Sequence, residues 1–70
     1  MESRYKKLIP KVLKSDEIMS TNQVREAVAK LAGVKRIEFN LIYHLLDELS
    51  REGKIRMVKG SKKAFYWMKK

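Results

Sequence analysis

Seventy residues make one small domain, residues 1–70, near the size at which a chain buries barely enough surface to fold unaided. With no cysteine and a single histidine, His44, it has no disulfide, thiolate metal site or usual zinc constellation to draw on, and a 44% hydrophobic content must supply the core. Seventeen Lys and Arg against eight Asp and Glu leave a formal charge of +9, which points to a polyanionic partner rather than to the balanced charge of a thermophile surface.

No apolar run approaches a membrane span, and the N-terminal MESRYKK lacks the hydrophobic region of a signal peptide, so a cytoplasmic, nucleoid-associated protein without a membrane partner is expected. An enzyme is not expected. No nucleophile sits beside a plausible base, no Gly-rich phosphate loop is present, and neither a cofactor motif nor a metal motif is visible.

From Arg4 to Lys14 the apolar residues Tyr5, Leu8, Ile9, Val12 and Leu13 recur at i, i+3, i+4, i+7 and i+8, which predicts a first helix. Pro10 is tolerable only where its missing amide would be free, so this helix is expected to begin near Lys7 or to kink. Arg4, Lys6, Lys7, Lys11 and Lys14 lie on its exposed side, either as a solvated face or as phosphate contacts. Ser15 to Glu17 read as a turn and Ile18 with Met19 as a short extended piece. Ser20, three residues before Gln23, has capping-box spacing and starts a second helix, with Val24, Ala27, Val28 and Leu31 as its buried stripe and Gly33 as its end.

The stretch from Lys35 to Ile55 carries the strongest signal. Drawn at about 100° per residue, Ile37, Leu41, Ile42, Leu45, Leu46 and Leu49 share one side, while Arg36, Asn40, Tyr43, His44, Asp47 and Arg51 share the other. Glu38 falls on the apolar side, so the helix start is drawn nearer Glu38 or Phe39, with Arg36 in the turn. Asn40 is an alternative N-cap, Tyr43 an alternative cover for the crossing of the second and third helices, and His44 an alternative plain surface residue. Gly53 suits the left-handed residue that closes such a helix. The joint from Val34 to Arg36 is short enough to force a steep helix crossing, the geometry of a helix-turn-helix.

Beyond Gly53 the period changes from 3.6 to 2. Lys54 to Lys59 and Ala64 to Met68 form a hairpin whose tip, Gly60 to Lys63, is basic, and Lys69 and Lys70 are expected to fray. Phe65, Tyr66, Trp67 and Met68 put apolar groups on both faces of one strand. One pair must pack on the helices; the other completes the core near the first helix or, with that helix, offers a homodimer surface at Tyr66 to Met68.

The order helix, strand, helix, helix, strand, strand resembles the winged helix-turn-helix DNA-binding domain, an α+β fold with a C-terminal β-hairpin wing. NLIYHLLDELSREGKI is similar to that family's third-helix ending through Ile42, Tyr43, Leu46, Leu49, Gly53 and Ile55, and MSTNQVREAVAKLAG resembles its second helix. The resemblance implies a third helix in the major groove and a wing on the flanking backbone of double-stranded DNA. Carried over by position, Arg36, Asn40, Tyr43 and His44 are the base-reading candidates, and Lys35, Arg51, Arg56, Lys59, Lys62 and Lys63 the backbone set. About five phosphate contacts imply a log-log salt slope of about −4.5. The implied function is that of a small sequence-specific transcriptional regulator, of a kind suited to an archaeal, plasmid or viral genome. A winged-helix protein-interaction module and a sequence-independent duplex binder are the alternatives.

Overall fold

The computed structural model describes residues 2–60 and 64–70 and orders them as α1 (Glu2–Val12), β1 (Met19–Ser20), α2 (Thr21–Ala32), α3 (Phe39–Arg51), β2 (Ile55–Lys59) and β3 (Phe65–Lys69). The three strands make one antiparallel sheet in the order β1-β3-β2. Met19 and Met57 both oppose Trp67, so the central strand is the hydrophobic one and the basic β2 forms an edge. The register puts Phe65, Trp67, Ile55 and Met19 on the face that packs against the helices. Tyr66, Met68, Arg56 and Val58 occupy the other face.

The core joins Ile9 and Leu13 of the first segment to Val24, Val28 and Ala29 of α2, Ile42, Leu45, Leu46 and Leu49 of α3, and Ile55 and Trp67 of the hairpin. Every element except the two-residue β1 therefore supplies at least one buried anchor or its immediate neighbour. Leu31 departs from the expected stripe. It is 53% exposed, because the buried line of α2 runs through Thr21, Val24, Val28 and Ala29 and leaves Leu31 at its margin.

Helix α1 begins at Glu2 rather than near Lys7, so Pro10 lies in its last turn, where little helix remains to be disturbed. The first strand sits one residue later than drawn, and Ile18 is left 45% exposed. Helix α2 starts on a complete capping box: Gln23 N–H donates to Ser20 Oγ at 3.2 Å, and Ser20 N–H donates to Gln23 Oε1 at 2.9 Å. It ends at Gly33 with φ +73°, where Gly33 N–H donates to Lys30 O and Val34 N–H to Ala29 O.

Glu38 is the N-cap residue of α3, although its side chain makes no capping bond. Lys35 and Arg36 therefore lie in the connecting segment and not on the helix front. Ile37 and Ile42, both buried, occupy the two positions of a hydrophobic staple around that cap, which explains why Ile37 keeps the apolar period without being helical. Gly53, at φ +78°, closes α3 as its sequence position implied, with Lys54 N–H donating to Leu49 O. Lys69 does not fray: it belongs to β3, and its N–H donates to Lys14 O at 3.0 Å.

Candidate nucleic-acid interface

Helix α3 has its apolar back in the core, and its front is open. Asn40 stands at the second helical position, exposed, and so it is not the cap. His44 is exposed one turn further on. Asp47 and Arg51 follow on the same line and pair with each other, Arg51 Nε to Asp47 Oδ2 at 3.2 Å. The carboxylate that would repel a phosphate is thereby partly neutralised within the helix.

Tyr43 departs from the cover expected of it. Its ring is half-buried against the hairpin, 6.0 Å between centroids from Phe65 and 5.9 Å from Trp67, the latter edge-on. It covers the junction of α3 with β3, not the crossing of α2 and α3. The reason is its place on the flank of α3 that faces the central strand.

One cleft borders the N-terminal end of α3, and a second borders the segment that leads into it. The first, of about 480 Å³, is lined by Phe39, Tyr43 and Phe65 together with Ser20, Asn22 and Asn40. Phe39 is 45% exposed there. The other, of about 290 Å³, lies between α2 and the connecting segment and gathers Arg25, Lys30, Lys35 and Arg36 around Val34. Arg25 holds this corner together by donating from Nη1 to Ile37 O at 3.3 Å.

The basic residues divide by whether the fold uses them internally. On α1, Arg4 donates to Ala32 O at 3.0 Å and so caps the carboxyl end of α2, and its guanidinium lies 5.9 Å from the Tyr5 ring centroid. Lys6 pairs with Glu52 at 2.8 Å, and Lys14 lies 3.9 Å from Glu17. The Lys6–Glu52 hydrogen bond raises the lysine above its ordinary pKa and holds the Glu52 carboxyl below its own. By contrast Lys7 and Lys11 of α1 and Lys30, Lys35, Arg36, Arg56 and Lys59 have no carboxylate within ion-pair distance among the described residues.

Strand alternation splits the basic set of the hairpin. Lys59 opposes Phe65 on the α3 side of the sheet, whereas Arg56 opposes Met68 on the face turned away from the helices. Lys59 therefore groups with α3 and Arg56 does not. Lys62 and Lys63, expected at the tip, lie outside the described residues.

No known family profile and no curated protein matches the sequence. Among solved structures, a chain from work on the DNA recognition and protein interaction domains of HOP2, and on its homologous DNA pairing properties, matches with a TM-score of 0.68. The match covers 99% of this chain and 97% of that one at 17% identity. The fold is a winged helix. The likeness is one of architecture, since at this identity the two surfaces share few side chains.

In a winged helix the β2-β3 hairpin is the wing, and α3 is the exposed second helix of the helix-turn-helix. This winged helix places Asn40 and His44 on the N-terminal half of α3, just after the segment Lys35–Arg36, with Lys59 of the wing on the α3 side of the sheet. Arg25, Lys30, Asn22 and Phe39 belong to the same region and were missed in the sequence. The α2 residues had a faint signal, in that Asn22, Arg25, Glu26 and Ala29 repeat at i, i+3, i+4 and i+7 along one face. Among the described residues no helix is long and apolar enough to cross a membrane.

Proposed function

We propose that this winged helix binds double-stranded DNA without catalysing a reaction, with the N-terminal half of α3 in the major groove and the wing on the flanking backbone. The observation that carries the reading is the distribution of uncompensated cations. Lys30, Lys35 and Arg36 gather between α2 and the segment that leads into α3, and Lys59 lies on the α3 side of the wing, while Arg4 and Lys6 of α1 and Lys14 just beyond it are engaged within the protein, leaving Lys7 and Lys11 as the unpaired cations of α1. A polyanion is drawn to the first group and gains less from the second.

On this proposal base reading falls to the first turn of α3 and the segment before it. Asn40 presents a free amide suited to adenine, and Arg36 a fork suited to guanine, each bidentate pair being worth about 1–3 kcal/mol of discrimination. Phe39 supplies an apolar contact of the kind a thymine methyl group takes. Tyr43 contributes at most its hydroxyl, since its ring is spent on Phe65 and Trp67. Selective binding of this kind is what a small transcriptional regulator requires.

Anisotropy titration against a random duplex pool at two salt concentrations, with sequencing of the retained fraction, tests the reading. Salt-sensitive binding with an enriched motif supports the specific regulator, and loss of that motif in Asn40→Ala places base reading at α3. Salt-sensitive binding with no motif makes this a general duplex binder. Absence of binding at low salt overturns the proposal in favour of a protein-interaction module.

A further inference from the structure

We propose that the cleft between α2 and the segment joining it to α3 is a phosphate-binding site built by Arg25, Lys30, Lys35 and Arg36; as a contact for the DNA backbone it rests on the duplex-binding reading above. Four cations line this cleft against one carboxylate, Glu26, and none of the four forms an ion pair among the described residues. Like charges brought to one concave surface repel each other, and an anion between them removes that repulsion. Cations converging from two chain segments suit a tetrahedral, multiply charged oxyanion better than a planar carboxylate, which a single guanidinium saturates.

Arg25 supplies an independent observation. Its Nη1 is committed to the Ile37 carbonyl at 3.3 Å, which fixes the plane of the guanidinium, while its Nε is buried with no hydrogen-bond partner among the described residues. A buried donor without a partner is uncommon in folded proteins and calls for a specific explanation. With Nη1 engaged and Nε shielded from solvent, the guanidinium donor open to a ligand is Nη2, and the unpartnered Nε is a donor that a small shift of the side chain toward an anion would satisfy. The Ile37 bond thus pre-orients the guanidinium, so less side-chain freedom is lost when an anion arrives.

The backbone explains how the four residues meet. The left-handed Gly33 turns the chain sharply at the end of α2, and Lys35 and Arg36 are carried back toward the last turns of that helix, where Arg25 and Lys30 stand. The same α2 face carries Asn22, which lines the separate cleft of Phe39 and Asn40. The anion site therefore adjoins the N-terminal end of α3, where a backbone phosphate flanking an α3-filled groove would lie.

The test is an NMR titration of the full chain labelled with nitrogen-15, following the arginine Nε–Hε signals and the backbone amides, first with inorganic phosphate and then with a short duplex. Phosphate should move the Arg25 Nε–Hε signal and the Val34 to Arg36 amides saturably, and the duplex should move the same signals at far lower concentration. The Lys30→Gln/Lys35→Gln double variant, altered at two exposed positions that carry no packing, should weaken both ligands about tenfold or more. It should also flatten the duplex salt slope by about 0.9, the amount expected for one phosphate. If phosphate moves these signals and the duplex moves only α3 and the wing, the site serves a free phosphorylated ligand and its backbone role is overturned. Phosphate binding in a chain that no duplex perturbs anywhere would leave the anion site standing and sink the duplex-binding reading. If a duplex moves α3 and the wing while Arg25 and the turn respond to neither ligand, the anion site is wrong and duplex binding stands.

Discussion

The indole N–H of Trp67 donates to the hydroxyl oxygen of Thr21 at 2.8 Å, both residues being buried, and so β3 is bonded to the first turn of α2. This bond joins the central strand of the sheet to the helix that leads into the turn. Thr21→Val keeps the shape of the side chain but leaves the indole N–H without a buried acceptor. The expected loss is about 1–3 kcal/mol by urea denaturation. An unchanged midpoint would mean that the N–H finds another acceptor.

Tyr43 should separate packing from recognition. Tyr43→Ala removes a ring seated on Phe65 and Trp67 and should destabilise the chain by about 2 kcal/mol or more. Tyr43→Phe keeps both ring contacts, so its stability should match the parent. Weaker duplex binding in Tyr43→Phe would then be assigned to the hydroxyl alone, and equal binding would remove Tyr43 from the base-reading set.

Asp47 should restrain duplex affinity. Asp47→Ala removes a carboxylate from the α3 front and releases Arg51 from its 3.2 Å partner. Binding to every duplex should tighten, and the log-log salt slope should steepen by about 0.9 if Arg51 then reaches one phosphate. Anisotropy titrations at two or more salt concentrations measure both quantities; weaker binding would show that Asp47 accepts a hydrogen bond from the DNA.

Gly33 sets the turn between α2 and α3 at φ +73°, and a Cβ there would meet no atom within 4 Å. The penalty for a side chain is thus conformational and not steric crowding. Gly33→Ala should destabilise the fold by about 1–2 kcal/mol. Gly33→Asn should lose less, because asparagine visits the left-handed region more readily. Equal losses for the two variants in thermal denaturation would point to another cause.

The Lys6–Glu52 pair ties α1 to the carboxyl end of α3, and its contribution should depend on pH. The hydrogen bond from Lys6 depresses the pKa of Glu52, so its stabilisation is present above the ordinary carboxylate range and disappears as pH falls through the depressed value. The bond to Glu52 raises the pKa of Lys6, so that contribution is complete below the ordinary lysine value and disappears as pH rises through the raised one. Lys6→Gln should therefore melt below the parent chain near neutral pH, with the gap closing in strong acid. A gap that persists in strong acid would show that the lysine acts through its hydrocarbon stem.

Local chemistry was legible in the amino-acid sequence. The capping box of Ser20 and Gln23, the left-handed glycines at 33 and 53, the 3.6 period of α3 and the change to period 2 after Gly53 each depend on residues a few positions apart, so the order of elements followed from them. Asn40 and His44 were placed correctly on the α3 front for the same reason. Where periodicity met a boundary it misled: Ile37 keeps the apolar period outside the helix, and Leu31 keeps it on an exposed margin. Which cations remain uncompensated was a tertiary decision. Arg4 is engaged because Ala32 ends a helix beside it, Lys6 because Glu52 closes another, and Arg25 joins Lys35 and Arg36 because Gly33 turns the chain back. A net charge adds up along the chain, but the field a partner meets depends on which charges the fold has already paired.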